Sequence, residues 1–233
     1  MAYNLADFIE HTVDAVPDRI ALVCGGRSLT FAQLEDRANR LAHHLAAQGI
    51  GERDHIAIYS LNSLEYVETM VAAYKLRAVP INVNYRYVED ELTYLLDNCD
   101  ARALVFQAQF TSLVAKVADR LPLLHHLVVV DDGSGAPDDI GAVGYESALA
   151  GASPERDFGP RSDDDLYVLY TGGTTGYPKG VVWRHEDVWR TLGGGIDFMT
   201  GERIEDEFQM SRTAAETEPT AGLVLAPLMH GAA

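Results

Sequence analysis

LYVLYTGGTTGYPKGVVWRH, residues 166–185, sets a dense run of glycines and threonines between two apolar segments. An apolar run, 166–170, enters a loop that holds Gly172, Gly173, Gly176 and Gly180 with Thr171, Thr174, Thr175 and Lys179, and a β-prone run, 181–183, leaves it. The pattern predicts strand, glycine-rich loop, strand. Glycines let backbone N–H groups turn inward and approach an anion closely, so such a loop suits a ligand with several oxygens. Thr174 and Thr175 add hydroxyl donors, and Lys179 adds a compact positive charge. The Walker A loop is the nearest familiar alternative, but there glycine directly precedes the lysine and a helix follows. Here Pro178 precedes Lys179, Gly180 follows it, and the flank is strand-like, so that reading fails.

Outward from this loop the chain alternates. Upstream, 55–60, 78–83, 103–106 and 127–130 read as strands, and helical patterns fall between them at 64–74, 88–96 and 112–120. Asn62 with Glu65 is the expected cap of the first of these helices. Such alternation implies an α/β fold: a mostly parallel sheet covered by helices on both faces, with ligands at the carboxyl ends of strands. Further upstream, Leu5, Phe8, Ile9, Val13 and Val16 share a helical face ended by Pro17, and 20–24 and 28–31 form a hairpin at Gly25-Gly26. Thr30 and Gln33 then make a capping box for a helix stopped by Gly49. Downstream, 186–192 reads as a helix, Gly193-Gly194-Gly195 as a break, and 201–219 as an acidic, aperiodic mobile segment.

The 233 residues carry a formal net charge of -17 with 47% hydrophobic and 23% charged residues, ordinary for a globular protein and adverse to nucleic acid or anionic membrane as partners. A positive loop is then all the more necessary for an anionic ligand. Cys24 and Cys99 form no metal-like spacing, and no signal or membrane-spanning run appears, so a cytoplasmic protein with reduced thiols is expected. Asp163-Asp164-Asp165 reads as a solvated start to the central strand rather than a metal site, and 131–139, DDGSGAPDD, as an exposed loop. His43 and His44 read as surface or boundary residues, because no cysteine, carboxylate or third histidine lies at ligand spacing, and His125-His126, just before a strand, read as a turn or cap.

Residues 170–180, YTGGTTGYPKG, resemble the phosphate loop of adenylate-forming enzymes, the superfamily of acyl-CoA synthetases, peptide-synthetase adenylation domains and beetle luciferases. The family's common form is Y-T-S-G-T-T-G-x-P-K-G, so Gly172 stands where serine is usual and one hydroxyl donor is lost. TFAQL at 30–34 resembles an early L-T-Y-x-E-L segment of the family, and 72–84 its K-x-G-A-x-x-x-P-x-N stretch, with Arg77 in place of glycine. Trp183-Arg184-His185-Glu186-Asp187 with the later glycine run resembles bacterial acyl-CoA synthetases acting on fatty acids or steroid side chains. Ala226-Pro227-Leu228-Met229-His230 resembles the P-L-x-H segment, whose histidine borders the acyl pocket.

The resemblance implies a two-step ligase that forms an acyl-adenylate from ATP and a small-molecule carboxylic acid, a fatty acid or related carboxylate, and then a thioester with coenzyme A. It assigns ATP phosphates to Thr171, Gly172, Gly173, Thr174, Thr175, Gly176 and Lys179, and the acyl pocket to His230; Met229 is expected in the core. It implies magnesium (Mg2+), with ligands mostly outside this chain, and no metal ligand or confident catalytic residue within it. On this reading 1–233 is a truncated N-terminal AMP-binding domain. Residues 50–198 form an α/β subdomain ending in the phosphate loop and following helix, 199–233 start a second subdomain, and the C-terminal domain is absent. The chain alone is expected to be inactive, and uncovered apolar surface favours a homo-oligomer. A non-catalytic remnant with weak nucleotide binding, or an amino-acid adenylation domain, remain the alternatives.

Overall fold

The computed structural model describes residues 3–135, 140–172, 176–191, 195, 200–204 and 206–230. The chain opens with helix α1, Leu5–Ala15, whose cap is Asn4; the Asn4 Oδ1 accepts from the Ala6 amide at 2.9 Å. The hairpin β1, Ile20–Cys24, and β2, Arg27–Thr30, turns through Gly25 and Gly26, both at positive φ, as the glycine pair demands. The expected capping box starts α2, Phe31–Ala47, with Thr30 and Gln33 exchanging side-chain and backbone hydrogen bonds.

The α/β part follows as β3 (His55–Tyr59), α3 (Leu64–Lys75), β4 (Val79–Asn82), α4 (Glu89–Asn98), β5 (Ala101–Gln107), α5 (Thr111–Val117) and β6 (His126–Val130). Then come β7 (Val143–Gly144), α6 (Tyr145–Ala150), β8 (Leu166–Thr171), β9 (Lys179–Arg184), α7 (His185–Thr191) and α8 (Gln209–Glu216). Among the described residues seven strands form one sheet in the order β7-β6-β5-β3-β4-β8-β9. Every pairing is parallel except β8 with β9.

Strand residues alternate between two buried faces, which is why these strands read as nearly continuous apolar runs. Ala57, Tyr59, Leu104 and Phe106 pack with Leu92 and Leu95 of α4 and Val114 and Val117 of α5. Ile56, Ala103, Val105 and Val128 pack on the other face with α2, α3 and α6 through Leu41, Leu45, Ala72 and Leu149. Helices cover both faces, as the alternation predicts.

Several expectations are corrected. Ser63, not Asn62, caps α3, its hydroxyl accepting from the Tyr66 amide at 3.1 Å. The 201–219 segment contains α8, whose flanking Phe208 stacks on His11 and whose Met210 packs with Tyr3, Phe8, Trp189 and Ile204. Asp165 is buried rather than solvated, taken up by Arg77 at 2.9 Å and by Asn4 Nδ2 at 2.9 Å. His126 is also buried, and its Nε2 lies 2.9 Å from His44 Nε2. Leu223 and Leu225 are 83% and 85% exposed, so an uncovered apolar stretch does exist.

A charged cluster ties the first three helices together. The fully buried Lys75 of α3 bridges Glu10 of α1 and Glu35 of α2. Arg161 reaches Glu10 at 2.7 Å, and Arg156 reaches Glu35 at 2.7 Å. Burial alone would raise the Glu10 carboxyl; hydrogen bonding from Arg161 and the charge of Lys75 overcome it and hold Glu10 below its usual value.

Candidate phosphate and acyl site

The β8–β9 hairpin closes where Thr171 pairs with Lys179, at the carboxyl end of β8. β8 in turn lies beside β4. Helix α4 supports the hairpin. The Tyr170 phenol donates to Asn98 Oδ1 at 2.9 Å, and the Tyr94 phenol donates to the Pro178 carbonyl at 3.3 Å while its ring stacks on Tyr177 at 4.3 Å. Burial, with the nearby Cys99, Tyr94 and Asp100, pushes Tyr170 far above the ordinary phenol range, so it stays a donor. Gly180 lets the strands close over this ring: a Cβ there would meet Tyr170 Cε2 at 3.1 Å and Val168 Cγ1 at 3.2 Å. Around Gly172 and Gly176, by contrast, a Cβ would meet open space.

Lys179 is exposed and, among the described residues, has no ion-pair partner. Its neighbour on the same strand, Arg184, is held by Asp187 at 2.8 Å and Asp164 at 2.9 Å. The hairpin thus keeps one cation available beside Thr171 in a strongly acidic protein. Gly173, Thr174 and Thr175 lie outside the described residues, as do Gly193 and Gly194 of the glycine break.

The second part of the site is the turn Leu228–His230, which packs against β4 and β8. Strands β3 and β4 are neighbours, yet the helix that follows β3 packs on one face of the sheet and the helix that follows β4 on the other. At such a reversal open α/β sheets take ligands, in the crevice outside the carboxyl ends of the two strands. Asn62 follows β3 and Asn82 ends β4, and both bond to the turn: Asn62 Oδ1 accepts from the Leu228 amide at 2.8 Å, and Asn82 Nδ2 donates to the Leu228 carbonyl at 3.4 Å. Met229 is buried, as the sequence predicts, and His230 is exposed.

The fold therefore brings the described phosphate-loop residues Thr171, Gly172, Gly176 and Lys179 into one hairpin and sets the His230 turn against the strand that bears it. Sequence reasoning missed Tyr94 and Asn98, since nothing local marks helix residues that brace a distant loop, and it missed Tyr177, whose ring partner Tyr94 lies far back in the chain. Asn62 carried a signal that was assigned to helix capping.

Among the described residues no group of three His, Cys, Asp or Glu side chains could hold a metal ion. Asp164 and Asp165 are already matched by Arg184 and Arg77. These residues do not fit a magnesium site. Among the described residues no helix is long and apolar enough to cross a membrane.

Similarity to known proteins agrees with this geometry. The model of the AMP-binding enzyme family matches residues 9–233. The chain is 54% identical to 3-oxocholest-4-en-26-oate–CoA ligase of Rhodococcus rhodochrous over all of its own length and 42% of that protein. It is 51% identical to the medium/long-chain-fatty-acid–CoA/3-oxocholest-4-en-26-oate–CoA ligase of Mycolicibacterium smegmatis, again over 100% of this chain and 42% of the relative. Among solved structures, the anthranilate CoA ligase AuaEII in complex with anthranoyl-AMP superposes with a TM-score of 0.76 at 27% identity, covering 83% of this chain and 37% of that one. The N-terminal domain of FACL13 from Mycobacterium tuberculosis gives 0.68 at 27% identity, covering 80% and 45%. The chain thus spans about 42% of the length of the curated relatives it matches. With its sheet, its glycine-rich hairpin and a family model that runs from residue 9 to residue 233 all in agreement, the chain belongs to the AMP-binding enzyme family.

Proposed function

We propose that this chain supplies the ATP-phosphate loop and part of the acyl-binding wall of an acyl-CoA ligase. The observation that carries this reading is Lys179, exposed and without an ion-pair partner among the described residues, set across from Thr171 in a hairpin at the carboxyl edge of the sheet. In the first step a carboxylate oxygen of the acid attacks the α-phosphorus of ATP, the bond from that phosphorus to the bridging oxygen breaks, and pyrophosphate leaves. Charge builds on the leaving group, and the 171–176 loop with Lys179 is where fixed donors and a cation would take it up. No general base is required, since a carboxylic acid is already ionised at neutral pH. In the second step the sulfur of coenzyme A attacks the acyl carbon, AMP departs with the former carboxylate oxygen, and the thiol proton is released.

The acid is of the apolar kind that the two relatives' names carry, a steroid side-chain acid or a medium- to long-chain fatty acid, and His230 lies against its carboxylate. Residues 50–198 then act as the subdomain that presents the phosphate loop, and 199–233 as the start of the one that lines the acyl pocket.

The test is Lys179→Ala in an enzyme that carries this chain at the full length of its relatives. Exchange of labelled pyrophosphate into ATP is expected to fall by about 100-fold, as on loss of a principal donor to a developing anion. An unchanged exchange rate would remove the assignment. Titration of ATP into the 233-residue chain reads separately whether the hairpin binds nucleotide by itself.

A further inference from the structure

The Leu228–His230 turn belongs to no strand or long helix, yet its backbone is gripped from both sides of the crevice at the β3–β4 reversal. Asn62 donates through Nδ2 to the Ala226 carbonyl at 3.1 Å and accepts at Oδ1 from the Leu228 amide at 2.8 Å. It answers one acceptor and one donor two residues apart, which is what a neighbouring strand would do. Asn82 Nδ2 takes the Leu228 carbonyl at 3.4 Å. The backbone that presents Asn62 is itself fixed, because the Leu61 amide donates to Gln107 Oε1 at 3.0 Å. Amide side chains from the carboxyl ends of β5, β3 and β4, three neighbouring strands, thus carry the position of the sheet into the turn.

The residue type is as telling as the geometry. A primary amide both donates and accepts, whereas a carboxylate only accepts and an aliphatic side chain does neither. Asn62 caps no helix here, since Ser63 caps α3, so its side chain is left to serve the turn. With Met229 buried beneath, the turn is pegged by one apolar side chain and three hydrogen bonds, and His230 projects at its exposed end.

We propose that Asn62 and Asn82 are positioning residues that fix the 226–230 turn over the crevice and thereby set His230 against the substrate carboxylate. This rests on the reading of His230 given above; neither asparagine touches substrate. The first test is hydrogen exchange on the 233-residue chain. In Asn62→Ala the Leu228 amide is expected to exchange about five- to tenfold faster, the loss of one net hydrogen bond, with β3, β4 and β5 unchanged. Asn62→Asp, which still accepts from Leu228 but cannot hold Ala226, should keep more of that protection. Unchanged exchange at Leu228 in Asn62→Ala overturns the proposal, and so does equal acceleration throughout the sheet.

The second test is kinetic, in an enzyme carrying this chain at the full length of its relatives. Asn62→Ala and Asn82→Ala are expected to raise KM for the acid about tenfold and leave KM for ATP unchanged. An unaltered acid KM in both overturns the positioning role. His230→Ala without effect on the acid would instead overturn the reading of His230, and with it the purpose of the clamp, even where the exchange result holds.

Discussion

Arg77 holds a left-handed backbone, φ 57°, at the position where the family pattern has glycine, and its guanidinium grips the buried Asp165 and the exposed Glu52. Strain and ion pairing therefore oppose each other at one residue. Arg77→Gly loses the pairing but relieves the backbone, whereas Arg77→Ala loses the pairing and keeps the strain. Urea midpoints are expected to rank wild type above Arg77→Gly and Arg77→Gly above Arg77→Ala, the last two separated by about 1 kcal/mol; the reverse order would count against this account. Gly172 and Gly180 make a second contrast. Gly172→Ser enters open space, so stability should stay within about 0.5 kcal/mol while ATP binding tightens. Gly180→Ala meets the Tyr170 ring at 3.1 Å and should cost about 1–3 kcal/mol. Calorimetric titration and denaturant melts check the pair. At this scale the strand, glycine-rich turn and strand were legible, because glycines between two β-prone runs mark a reversal locally. Asp165 was not, since three aspartates in a row read as solvent until Arg77 and Asn4 are brought to them across the fold.

Elements with a strong apolar period were legible and those without one were not. The strands β3 to β6, the β8–β9 hairpin and the capped helix α2 stand where the pattern puts them. The two-residue β7 and the six-residue α6 are too short for any period to show. Helix α8 reads as polar because its partners are α1 and the Tyr3–Trp189 cluster, far away in sequence. The bracing of the hairpin by α4 belongs to this scale. Tyr94→Ala removes the stack on Tyr177 and the bond to the Pro178 carbonyl, a combined loss of about 1–2 kcal/mol from the hairpin. Proteolysis within 172–178 should accelerate accordingly, and Tyr94→Phe should restore much of the protection by keeping the stack. Cleavage at the wild-type rate in Tyr94→Ala would show that α4 does not steady the loop.

The whole molecule has an acid limit set by buried imidazoles. Burial lowers His185 to about 4 against the ordinary 6.5, opposed by the charge of Asp165. Burial and the neighbouring His44 and His125 lower His126 likewise to about 4. Both folded values lie below the unfolded one, so between pH 6.5 and 4 the unfolded chain binds protons that the folded chain refuses. Stability is fully present above that window and falls as the pH drops through it, by roughly 3 kcal/mol for His185 alone. Urea midpoints at pH 7.5 and pH 5 should show the drop, and His126→Gln should flatten the slope; an identical slope in that variant would argue against it. The layered α/β plan was readable from alternation alone. The ionic knot beneath α1 was not, because its members are scattered from Glu10 to Arg161 and meet only in the finished fold.

That knot constrains how the protein can change by descent. Lys75 has no water to retreat to, and deleting both of its carboxylates, Glu10 and Glu35, would strand its charge inside at a cost of about 3–5 kcal/mol, while exchanging the group together for apolar side chains need cost little. Glu10, Glu35, Lys75, Arg156 and Arg161 are accordingly expected to be inherited as a block, so that a lineage which has lost one of them will have lost the others too.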